Sequence, residues 1–272
     1  MLHPFTDPPP STLEENWKVL QKRFETFHSQ LDEFPHTFQL EHQDDLKADQ
    51  LKKVRSSLQS ALAVGYRTPL ETARARNLLA YIFFRLECPT QALEETRLAL
   101  DCEEEHQNVV SLANKAVMLW RQGQRIEAEN LVQKLHRMKA EVSDFAYLVV
   151  KAKAELAFSY TRFDPSFYPL AQKGFVEVVA DAREPEKWLW KFGLALTQRR
   201  QLCQGINPGS ASHEEHLSVL RMFMEIVDKC NSDSLKAKVY AEVAWLLNIA
   251  NSETLKKTLQ REAGLTLSLI HI

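Results

Sequence analysis

Leu79-Ala80-Tyr81-Ile82-Phe83, followed by Gln91-Ala92-Leu93 and then Ala99, is the stretch whose reading decides the fold. Small residues at Ala80, Ala92 and Ala99 suit two antiparallel helices whose backbones approach closely, with Phe83 filling the space between them. The pattern returns: Ala128 stands 36 residues after Ala92, and Ala116 stands 36 after Ala80. Such a period marks a stacked array in which each helix pair buries its apolar face on its neighbours.

Tetratricopeptide repeats have this design, with about 34 residues per helix pair. On that reading helix A of the first unit lies near 74–86 and helix B near 90–101, and the second unit's helices lie near 108–121 and 125–139, with Gly123 in the turn. A third pair starts near Phe145, with Ala157 at the close contact, Asp164-Pro165 breaking the helix, and Ala171 and Phe175 on the return. Its turn is longer, since Ala157 to Ala171 spans 14 positions where Ala116 to Ala128 spans 12. A fourth unit opens after Pro185 with Trp188, Trp190, Phe192 and Gly193, where glycine again permits close approach. Residues 204–212 read as a long loop, and helices near 213–230 and 233–250 continue the stack, with a last one near Ser252.

Upstream, residues 1–11 are proline-rich and read as a disordered leader. Residues 12–66 read as N-terminal helices, one opened by the Ser11-Thr12-Leu13-Glu14 capping box and running to about Leu31, the other from Leu46 to Val64 and stopped by Gly65. The repeats occupy 74–267, about four to five units. The tail 268–272, Ser-Leu-Ile-His-Ile, reads either as a frayed end or as the translation of a sequencing adapter on a truncated chain.

Composition agrees with an all-α class. Only 7 Gly and 11 Pro in 272 residues, amid abundant Leu, Ala, Glu and Lys, disfavour a sheet protein with many turns. A net charge of −2 exerts no global pull towards nucleic acid or membrane, so any charged function must come from the placement of charges. Cys88, Cys102, Cys203 and Cys230 are far apart with no Cys-x-x-Cys pair, which suits free thiols in a reducing compartment. There is no basic segment leading into an apolar run and no stretch able to span a bilayer, and the chain is expected in the cytoplasm, without a membrane partner.

Motifs for catalysis are missing. The glycines are scattered, with no Gly-x-Gly-x-x-Gly or Walker pattern, and no Gly-x-Ser-x-Gly occurs. His213 and His216 share a helical face, but beside Glu214 and Glu215 they read as a solvated helix start rather than a metal site. The acidic runs at 41–45 and 103–105 read as exposed helix ends. No enzyme, cofactor or metal is called for.

A binding surface remains. In this repeat class helix A lines the concave face, and the register fixed by Ala80, Ala116, Ala157 and Gly193 predicts its side chains. They are Arg74, Asn77, Tyr81 and Phe84; then Asn114, Trp120 and Arg121; then Lys151, Glu155, Phe158 and Arg162; then Lys187, Trp190 and Lys191. This set holds six basic residues against one acid. Basic groups interleaved with aromatics can hold a phosphate backbone and stack bases, or clamp an acidic peptide. The competing reading is that long side chains merely solvate a helical face.

Asn77-Leu78-Leu79-Ala80-Tyr81, Glu104-Glu105-His106 and Arg121-Gln122-Gly123-Gln124-Arg125 resemble the N-terminal repeats of interferon-induced proteins with tetratricopeptide repeats. The segment from Leu31 to Glu41, Leu-Asp-Glu-Phe-Pro-His-Thr-Phe-Gln-Leu-Glu, resembles tetratricopeptide repeat protein twenty-two of the same branch. The resemblance covers roughly residues 25–205. It implies a cytoplasmic binder of single-stranded RNA ends in antiviral defence, with a Tyr-Arg of the family falling on Arg199-Arg200, so that Arg200 joins the set while the tyrosine is lost. A channel lysine of the family falls near Tyr160, and its Cys-His-Phe-Thr-Trp stretch is matched only by Pro35-His36-Thr37-Phe38, departures that weigh against a pocket specific for 5′ ends. Two partners are therefore expected in the concave groove. The first is a protein segment held by anchors such as Tyr81, Trp120 and Trp190, and the second is single-stranded RNA held by the arginines and lysines.

Overall fold

The computed structural model describes residues 13–40, 46–65, 68–102, 108–204 and 213–249, with 257, 258 and 261 as isolated positions. Among these residues there is no strand. The helices are α1 (Leu13–Leu31), α2 (Ala48–Ala63), α3 (Pro69–Arg85), α4 (Pro89–Leu100), α5 (Val109–Arg121), α6 (Arg125–Glu141), α7 (Phe145–Tyr160), α8 (Tyr168–Ala180), α9 (Glu186–Gln204), α10 (His213–Lys229) and α11 (Asp233–Ile249). Short 3-10 turns occupy Thr37–Gln39 and Pro165–Phe167. The leader, the Ser11 capping box, the acidic runs, the loop beyond Gln204, the helix near Ser252 and the tail lie outside the described residues.

Consecutive helices pack as antiparallel pairs, α3 with α4, α5 with α6 and α7 with α8, and the stack continues through α9, α10 and α11. The first pair begins earlier than the small-residue spacing predicts, at Pro69 rather than near Arg74. Its start is set by Thr68, whose hydroxyl accepts from the Glu71 amide while the Glu71 carboxylate accepts from the Thr68 amide, both at 3.2 Å. Pro69 fits the first helical position because its missing N–H would have had no intrahelical partner there.

The repeat extends into the turns. After α3 the Cys88 amide donates to the Phe83 carbonyl at 2.9 Å, and after α5 the Gln124 amide donates to the Leu119 carbonyl at 2.9 Å, 36 residues on. Each closure needs a left-handed residue, and the two are Glu87 at φ 59° and Gly123 at φ 83°. Later pairs depend on close approach. A Cβ on Gly174 of α8 would stand 2.9 Å from the Ala157 Cβ of α7, and one on Gly193 of α9 would stand 2.5 Å from the Phe175 ring of α8. The core is continuous from Phe27 of α1 to Phe167, then passes through Phe175 and Trp190 to the α9–α11 cluster around Phe223.

Candidate functional site

The inner surface divides in two. Beyond Leu31 the chain turns back and residues 34–38 are buried, Phe34 against His136 of α6 and Phe145 of α7, and the turn Thr37–Gln39 against α3 and α5. The Thr37 amide and hydroxyl both donate to the Asn114 Oδ1, at 2.9 and 2.7 Å. Phe38 meets Tyr81 and Phe84 edge-on, with ring centroids 5.2 and 5.6 Å apart, and the Arg121 guanidinium lies 5.2 Å from the Phe38 ring. Trp120 stacks on Phe27 of α1 at 4.0 Å.

Tyr81, Asn114 and Trp120, expected to face a ligand, are 0%, 0% and 8% exposed and hold the chain's own N-terminal segment instead. The physical reason is proximity. An apolar segment tethered in the same chain reaches the aromatic and amide groups at high effective concentration. Asn77 is also buried, donating to Glu155 of α7 and accepting from Ser111 of α5, each at 2.9 Å. His36 sits in this layer with neither ring nitrogen hydrogen-bonded within the protein. Burial, with the His28 and Arg121 charges added, pushes its imidazole down to about 3.

Past this covered half lies a cavity of about 530 Å³ bordered by α2, α3, α7, α8, α9 and α11. Three arginines of the predicted set line it: Arg74, Arg162 and Arg200. Phe158 stands among them, its ring 4.0 Å from the Arg74 guanidinium and 6.0 Å from that of Arg162. Arg162 donates to Ser57 of α2 and Arg200 to the Thr161 carbonyl, each at 2.9 Å. Lys238 adds a fourth cation, and Glu71 and Glu242 are the carboxylates on the wall. Glu242 also pairs at 2.8 Å with the buried Arg199, whose guanidinium lies over the Trp245 ring. Cations thus outnumber carboxylates around a space of the size small ligands and oligomer ends occupy.

A second cavity, of about 490 Å³, continues beyond Glu71 and Lys238. It is lined chiefly by Pro69, Leu70, Trp188 and Leu235, with the Cys102 and Cys230 thiols and Lys151, which pairs with Glu186 at 3.5 Å.

The remaining members of the set lie elsewhere. Arg121 is exposed over Phe38, on the covered half. Trp190 is buried beside Tyr147, Lys191 pairs with Glu225 at 2.5 Å, and Lys187 lies over Trp188 at 5.5 Å. On α9 the residues facing the first cavity are Leu189, Phe192, Gly193, Leu196 and Arg200, and not Lys187, Trp190 or Lys191. Glu71, Lys238 and Ser57 were not in the set. Glu71 could have been found through its Thr68 cap, whereas nothing local marks Lys238. His216 is buried, not solvated as its neighbours suggest, and the His213 side chain lies outside the described residues. Among the described residues no three His, Cys, Asp or Glu side chains gather to hold a metal, and no helix is long and apolar enough to cross a membrane. Cys88, Cys102 and Cys230 are free thiols.

Fold and inner surface together define a tetratricopeptide-like helical solenoid whose described residues border two adjoining, partly open cavities. A solved structure of human origin, the IFIT1 dimer with PPP-AAAA, is similar to it at a TM-score of 0.58 and 17% identity, over 88% of this chain. The chain spans 55% of the length of that one. The likeness shows the fold and not the branch within it. No protein-family model matches the chain. No curated protein matches it either.

Proposed function

We propose that the chain is a binding scaffold whose channel between α3, α7, α9 and α11 takes the phosphorylated end of a single-stranded RNA. The observation that carries this is the convergence of Arg74, Arg162 and Arg200 around Phe158 on one cavity. Guanidinium groups recognise phosphate oxygens bidentately, and an aromatic ring among them offers a face for a base. Support comes from the similar human structure, which holds PPP-AAAA, and from the sequence resemblance to interferon-induced repeat proteins. On this reading the protein works in the cytoplasm in antiviral recognition, binding its ligand without transforming it.

The protein-adaptor reading loses its anchors, because Tyr81, Trp120 and Trp190 are all buried. An acidic peptide in the same channel is the outcome to be distinguished. Fluorescence anisotropy with a labelled 5′-triphosphate RNA decides. With three to four phosphates neutralised, affinity should fall roughly 20- to 50-fold between 50 and 200 mM salt. No binding at the lower salt would overturn the RNA reading.

A further inference from the structure

We propose that Glu71 is a latch on this channel: its carboxylate, shared between Lys238 of α11 and Arg74 of α3, ties the two ends of the helical array and withholds both cations from an anionic ligand, which enters by replacing it. The inference rests on the channel being the ligand site.

The geometry is particular. Lys238 Nζ donates to Glu71 Oε1 at 2.8 Å across 167 residues of chain, and Arg74 lies 3.7 Å from the same oxygen. The helices α3 and α11 do not pack on each other as the consecutive pairs do, and this ion pair ties them. Glu71 and Lys238 also line both cavities, which makes their contact the wall that divides one channel into two chambers.

Glu71 has a second task that leaves its charge unexplained. Its other oxygen, Oε2, accepts from the Thr68 amide and hydroxyl, both at 3.2 Å, closing the capping box of α3. Glutamine serves in that box as readily as glutamate, since only a side-chain acceptor is required. The negative charge is therefore free to act on Lys238 and Arg74. Burial pushes the Glu71 carboxyl up, but Lys238, Arg74 and the Thr68 amide together outweigh it, and the group stays below the usual carboxylate range. The latch is closed at neutral pH. A polyphosphate carries more negative charge than one carboxylate and can satisfy both cations at once, so exchange of Glu71 for ligand is an exchange of anions at fixed cations.

Cys230 provides a readout that needs no RNA. It is 4% exposed and lines the second chamber together with Lys238. Its alkylation by iodoacetamide, followed site by site by mass spectrometry on the full chain, reports opening. Three conditions should raise the rate at least about threefold: Glu71→Gln, Lys238→Met, and the unaltered chain with inorganic triphosphate. The two variants should then move RNA affinity in opposite directions, Glu71→Gln upward by about tenfold and Lys238→Met downward by about tenfold.

If Cys230 stays slow in both variants, their circular dichroism being unchanged, the latch is overturned even where the unaltered chain binds RNA. Equal or parallel affinity changes in the two variants overturn the withheld-cation part. Fast alkylation in both variants, with no RNA binding by any form, supports the tie between the ends and overturns the RNA reading instead. Inorganic triphosphate acts on the unaltered chain, so the test survives a variant that fails to fold, and no rise in Cys230 rate at saturating triphosphate counts against ligand-driven opening.

Discussion

Against α3 and α5 the chain lays its own turn Thr37–Gln39, while α7, α9 and α11 border an open cavity of about 530 Å³ walled by arginines. Both surfaces belong to one repeat architecture, yet one is filled in cis and the other is open. The difference lies in the groups displayed. Tyr81, Phe84 and Asn114 offer aromatic faces and an amide oxygen, which Phe38 and Thr37 of a largely apolar segment meet. Arg74, Arg162 and Arg200 are charged, and covering them with apolar chain would strip their hydration without replacing it.

The most direct way to break the contrast is to empty the covered half. Phe34 is 0% exposed at the start of the segment, and Phe34→Ala should destabilise the protein by about 3–5 kcal/mol, read as a large fall in thermal midpoint. A loss below about 1 kcal/mol would mean that the segment is not part of the core.

Acid should separate the halves next. The unfolded chain takes a proton on His36 below about pH 6.5, which the folded chain refuses until about pH 3. Stability therefore falls as pH drops through that window, by about 1.4 kcal/mol per pH unit from this group alone. In His36→Leu, urea unfolding measured at pH 6.5 and 4.5 should show a shallower fall than in the unaltered chain. Parallel pH dependences would contradict the burial of His36 as a neutral ring.

Smaller effects test the open half and the repeat itself. Gly193→Ala forces a methyl to 2.5 Å from the Phe175 ring and should cost about 1–3 kcal/mol. Glu87→Gly removes the strain of a left-handed residue with a side chain, copying the Gly123 turn of the next unit, and should stabilise by about 0.5–1 kcal/mol in chemical denaturation.

Helix pairs were legible in the sequence because close approach admits only small residues, and these recur: Ala116 stands 36 residues after Ala80, Ala157 41 after Ala116, and Gly193 36 after Ala157. The start of α3 was misread because the repeat marks contacts between helices, not their ends; the Thr68 capping box marks the end. The site was legible in part. Arg74, Arg162 and Arg200 meet in one channel, but the same periodicity cannot tell whether an inner face is covered. Residues 34–40 have no helical period, so nothing in their pattern announced that they would occupy Tyr81 and Asn114. Lys238 reaches Glu71 only because the array curls through several pairs, and small rotations per pair accumulate in a way no local signal records.

The central claim is that ligand enters the open half and not the covered one. Arg162→Glu and Arg121→Glu reverse one charge each, the first on the channel wall and the second over Phe38 on the covered half. Anisotropy titrations with 5′-triphosphate RNA at low salt should show Arg162→Glu weakening affinity by at least about tenfold, with a shallower salt dependence, and Arg121→Glu changing it by less than about twofold. Equal losses in the two variants, or the greater loss in Arg121→Glu, would contradict the account.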